Sequence, residues 1–98
     1  MTITRQRNGS VLTLAVEGRL DTNTSPALEK ELADSLNGIT ELYIDLAQLV
    51  YISSAGLRVL LTAQKTMSRQ GKMVLKNTNA DLMEIFEVTG FVDILTFE

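Results

Sequence analysis

Along these 98 residues, three stretches with apolar residues at helical spacing alternate with apolar runs too short to be helices. Leu28, Leu32 and Leu36 fall four apart. Leu57, Leu60, Leu61, Ala63 and Met67 mark a second stretch, and Leu82, Ile85 and Phe86 a third. Steps of three and four place such residues on one face of a helix. Between and after them come Leu42–Leu46, Met73–Leu75 and Val92–Phe97, each of strand length. Strands joined through helices run parallel, with right-handed crossovers. The expected class is therefore α/β: a single domain over residues 1–98 with a mixed, mostly parallel sheet packed against helices.

The punctuation supports this order. Asn8-Gly9 separates Ile3–Arg7 from Ser10–Val16 and predicts an N-terminal hairpin closed by a type I′ turn. In the second of these strands Leu12, Leu14 and Val16 share one face and Val11, Thr13 and Ala15 the other, which suits a strand inside the sheet. The more polar first strand suits an edge. Glu17–Asp21 breaks the strand pattern. Thr24 or Ser25, followed by Pro26, opens the first helix, and Asn37-Gly38 ends it. Gly71 closes the second helix, reading from Leu57 to Met67. Asn79 caps the third, and Gly90 stops it.

Composition removes whole classes of chemistry. The chain has no Cys and no His, so thiol chemistry, histidine acid–base catalysis and the usual zinc ligand sets are excluded. A net charge of −3 disfavours a nucleic-acid partner held by a basic patch. No apolar run reaches the ~18–20 residues of a membrane-spanning helix, and no glycine-rich phosphate loop occurs. The expectation is a soluble cytoplasmic domain with no cofactor, no metal, no direct nucleic-acid contact and no membrane insertion.

Function in such sheets gathers at the loops beyond the carboxyl ends of the strands. Three segments belong there: Gly18–Thr24, Ala47–Ser54 and Lys76–Asn79. Ala47–Ile52 reads as an apolar loop that delivers Ser53-Ser54-Ala55-Gly56 to the start of the second helix. Ser53 or Ser54 suits an N-cap, worth about 1 kcal/mol. The same place accommodates a phosphate, which as phosphoserine adds roughly −1.5 to −2 charges. Gly56 fits either close helix–sheet packing or close approach of a partner. Asp21 suits a turn or cap, and Asp45 suits capture of amides in the loop after its strand. The two aspartates are too isolated in sequence to indicate a metal site. Met83, Phe86, Val88 and Phe91 read as core, with an exposed apolar patch as the alternative.

Ile44-Asp45-Leu46 followed by Tyr51-Ile52-Ser53-Ser54-Ala55-Gly56-Leu57 resembles the signature of the STAS domain, in particular the bacterial anti-sigma factor antagonists. Glu17-Gly18-Arg19-Leu20-Asp21 and Phe86-Glu87-Val88-Thr89-Gly90-Phe91 resemble two further segments of that family, in the same order. The resemblance implies a partner-switching protein that is not itself an enzyme. In such systems the antagonist binds an anti-sigma factor that is also a serine kinase and so frees the sigma factor. Phosphorylation breaks the complex, and a metal-dependent serine phosphatase resets it. By position the resemblance makes Ser54 the phosphoacceptor, with Asp21, Thr22, Asn23, Ser53, Gly56 and Leu57 in the partner-binding surface. Ser53 stands where many members have Asp, and Ala55 where they have Ser or Thr. Related domains also serve as unphosphorylated scaffold or adaptor subunits of signalling or lipid-transport complexes, in which Ser54 would be a cap and contact residue only.

Overall fold

The computed structural model describes residues 1–98 and opens, as its sequence predicts, on an antiparallel hairpin. Strands β1 (Thr2–Asn8) and β2 (Val11–Leu20) pair with Asn8 opposite Val11. The turn residues are therefore Gly9 and Ser10, not Asn8 and Gly9. Only Gly9 takes a positive φ, +63°, which is the type II′ pattern in place of the expected I′. Glycine at the first turn position decided this, since it adopts that φ without steric cost.

Helix α1 (Ser25–Ser35) follows, then β3 (Glu41–Asp45), β4 (Leu49–Ile52), α2 (Ser54–Gln70), β5 (Lys72–Lys76) and α3 (Ala80–Val88). A 3₁₀ turn, Phe91–Asp93, comes last. The main sheet has the order β1-β2-β3-β5, antiparallel at β1–β2 and parallel elsewhere. The edge position of β1 and the central position of β2 match the sequence reading. The buried face of the sheet carries Leu12, Leu14, Val16, Leu42, Ile44, Met73 and Leu75 in one cluster with Leu28, Leu32, Leu57 and Leu60 of the helices. Each such buried leucine contributes about 1.5–3 kcal/mol relative to exposure. The opposite face of β2 (Val11, Thr13, Ala15) is only half-buried.

Several expectations are corrected. Ala47–Ile52 is not a loop. A turn closed by the Leu49 N–H donating to the Leu46 carbonyl (3.1 Å) restarts the chain as β4, parallel to the far end of β2. Glu17–Leu20 accordingly does not break the strand: β2 runs on to Leu20 because β4 supplies a partner there. The regular alternation that would announce β4 is absent, because the register shifts by one residue between Gly18 and Arg19. Val92–Phe97 does not form a regular strand. It makes the 3₁₀ turn and a single bridge, Leu75 to Phe97, with Leu95 buried and the Phe97 ring edge-on to Phe86 at 5.0 Å. Helix α2 extends past both expected ends. Of the residues read as third-helix core, Phe86 is fully buried, whereas Val88 is 81% exposed.

Candidate functional site

The carboxyl ends of β2 and β4 and the first turn of α2 meet at one end of the molecule. The Ser53 N–H donates to the Leu20 carbonyl (2.9 Å), which ties the start of α2 to the end of β2. Ser53 is extended, with φ −98° and ψ 176°, and its hydroxyl accepts from the Gly56 N–H at 3.4 Å. That is the N-cap arrangement, in which a side-chain oxygen serves an amide that has no intrahelical partner. The choice left open between the two serines is thus made by geometry: Ser53 caps. Ser54 is the first residue of the helix, and it is exposed.

Gly56 faces inward. A β-carbon there would lie 2.8 Å from Ile52 Cγ1 and Leu20 Cγ and 3.0 Å from the Leu20 carbonyl oxygen. Close helix–sheet packing therefore requires this glycine, and the residue offers a partner no open backbone. Leu57 is 6% exposed and belongs to the core. Of the residues expected to form a partner surface, the structure places Thr22, Asn23 and Ser54 outside, Asp21 and Ser53 half-exposed, and Gly56 and Leu57 inside.

The loop after β2 is built around the Asp21 carboxylate. Its Oδ1 accepts from the amides of Asn23 (3.0 Å) and Thr24 (3.1 Å). The Thr24 hydroxyl accepts from the Asp21 N–H and donates to the Arg19 carbonyl. Thr24 is the residue at the helix boundary, yet its hydroxyl serves the loop and not a helix amide. The Thr24 amide is the main influence holding the Asp21 carboxyl below its ordinary pKa. Desolvation opposes it, while the Asn23 amide, the Thr24 hydroxyl and the Arg19 charge assist. A shallow depression of about 140 Å³ separates this loop from α2, with Thr22 and Pro26 on one bank and Ala55 and Arg58 on the other.

Asp45 does not join this group. It accepts from the Ala47 amide (2.9 Å) and the Asn77 side chain (3.0 Å), holding two loops together. Sequence reasoning missed the outward residues of β4, where Val50 is 70% exposed and Tyr51 37%. The Arg19 guanidinium lies 4.2 Å from the Tyr51 ring centroid. The missed signal is the pair Val50-Tyr51 itself, two consecutive apolar residues that an unbulged strand would send to opposite faces.

Comparison with known proteins bears on this geometry. The STAS domain family matches residues 2–98. The protein BtrV of Bordetella bronchiseptica is 35% identical over 96 residues, covering 96% of this chain and 83% of its own. An anti-sigma-B factor antagonist of Listeria monocytogenes is 33% identical, covering 93% of this chain and 82% of the relative. Among solved structures, an anti-sigma factor antagonist from Mycobacterium paratuberculosis superposes with a TM-score of 0.87 at 22% identity, over 98% of this chain and 83% of that one. The unphosphorylated form of the anti-sigma factor antagonist SpoIIAA gives 0.78 at 12% identity, over 99% and 87%. At such identities these two structures speak for the fold.

Proposed function

Because this chain belongs to the STAS domain family, we propose that it is an anti-sigma factor antagonist that works by partner switching. Its relatives include proteins named for that role. The observation that carries the mechanism is the division of labour between the two serines. Ser53 is spent on the cap, and Ser54 stands exposed one residue further on, at a helix start bonded to the Leu20 carbonyl just before Asp21.

In this reading the unmodified chain binds an anti-sigma factor that is also a serine kinase. The partner covers Ser54 together with Asp21, Thr22, Asn23 and Ser53. Gly56 and Leu57 contribute by fixing the helix to the sheet. Phosphate on Ser54 places roughly −1.5 to −2 charges at an interface on a chain of net charge −3. Repulsion and desolvation of that charge break the complex, and a metal-dependent phosphatase restores the hydroxyl. No helix is long and apolar enough to cross a membrane. The chain acts as the substrate of the kinase and the phosphatase.

The test is phosphosite mapping by intact mass and fragmentation after incubation with ATP and an extract of the source cells, with phosphatases inhibited. The expected result is one phosphate, on Ser54, absent from Ser54→Ala, with loss of a partner that Ser54→Ala retains. A partner held through ATP by an unphosphorylated chain would replace this reading with that of a scaffold subunit.

A further inference from the structure

The geometry points to Val50 and Tyr51 as the apolar anchor by which this chain seats itself on the anti-sigma factor, with Arg19 as the residue that positions Tyr51. This rests on the partner-switching reading and names the part of the partner surface that supplies binding energy. In β4, Leu49 pairs with Gly18 and Tyr51 with Arg19, so Val50 is an extra residue. A regular strand would alternate, sending Val50 out and Tyr51 in. The inserted residue gives instead an inward Leu49 and Ile52 flanking an outward Val50 and Tyr51. Bulges are known as devices that re-aim side chains next to functional sites. This one displays two large apolar groups immediately before Ser53-Ser54.

The display is held in place. Arg19 stacks on Tyr51 at 4.2 Å, and its Nε lies 3.8 Å from Asp21 Oδ2. Asp21 is fixed in turn by the amides of Asn23 and Thr24. A tyrosine already ordered by a cation loses little freedom on binding, and tyrosine and arginine dominate the energetics of protein interfaces. Arg19 ties the patch to Asp21, and the Ser53 N–H bonded to the Leu20 carbonyl brings the start of α2 to the same end of β2. One partner surface can therefore cover both, so a phosphate on Ser54 acts close to the anchor. The complementary feature on the anti-sigma factor is an apolar pocket with a carboxylate at its rim, facing the exposed guanidinium of Arg19.

The test titrates variants against the purified anti-sigma factor, taken as the protein that wild type retains, Ser54→Asp does not, and that phosphorylates Ser54 with ATP. Val50→Asp and Tyr51→Ala should each weaken binding at least 10-fold while both variants remain folded by circular dichroism. Arg19→Ala should weaken it several-fold. Val88→Asp, at a still more exposed apolar position on α3, serves as the control and should leave binding unchanged. If Ser54→Asp releases the partner while Val50→Asp and Tyr51→Ala bind within 2-fold of wild type, the anchor is overturned and the switch stands. If no protein shows all three properties, the functional reading fails and the anchor with it. A wild-type dimer dissolved by Val50→Asp, with anti-sigma factor binding intact, overturns the proposal in favour of self-association.

Discussion

The two ends of α2 are built for opposite purposes. At its carboxyl end the Gln70 side-chain amide donates to the carbonyls of Leu36 (2.7 Å) and Ile39 (2.6 Å), and Gly71 lies flat against the backbone of Thr40. At its amino end one serine caps the helix while the next faces solvent, and Val50 and Tyr51 of the preceding strand are exposed as well. One end locks the helix to the chain entering β3. The other holds the helix from beneath, through Gly56 packed on Leu20 and Ile52, and leaves its outer side free. A side chain can be offered to a partner in fixed geometry only if the backbone under it is immobile, and α2 supplies that from both ends.

The sharpest break of this comparison is at the locked end. Gly71→Ala puts a β-carbon 2.6 Å from the carbonyl carbon of Thr40 and nearer still to its oxygen. The φ of 172° is extended, and the penalty considered is the clash with Thr40. Backbone must move where Thr40 also accepts from the Lys72 N–H. Chemical denaturation should show a loss of about 3 kcal/mol. A loss below about 1 kcal/mol would mean that this end is not rigid.

At the display end, Gly56→Ala meets side-chain atoms of Ile52 and Leu20 before it meets backbone, and alanine regains about 1 kcal/mol of helix propensity. The expected net loss is about 1–2 kcal/mol, roughly half that of Gly71→Ala. Equal losses would erase the distinction between the two ends. The smallest effects separate the serines. Ser53→Ala should cost about 1 kcal/mol through the lost cap, and Ser54→Ala should stay within about 0.5 kcal/mol. The reverse order in thermal melts would exchange the roles assigned to them.

Much of the fold could be read from the sequence where one physical signal acted alone. The helix spacings, the hairpin, the Asn79 cap and the left-handed turn at Gly90 (φ +81°) all follow from local chemistry. The serine pair at the start of α2 was legible in the same way. Reading failed where two neighbouring strands had to be known together. Leu49–Ile52 carries no alternation because its bulge answers the end of β2. Val92–Phe97 has strand composition, but only Phe97 bridges to β5, while Leu95 and Phe97 serve as packing groups. Gly56 and Leu57, expected at the partner surface, are held inside by contacts with Leu20, Ile52 and the core.

By itself, then, the sequence determined the layers, the order of elements and the position of a pair of serines at a helix start, because spacing and turn chemistry act within a few residues. Tertiary structure alone decided which serine caps, which apolar residues of β4 face outward, and that Arg19 lies against both Asp21 and Tyr51. Those outcomes depend on β2 and β4 lying side by side, some thirty residues apart in the chain, where a single inserted residue turns two side chains toward solvent.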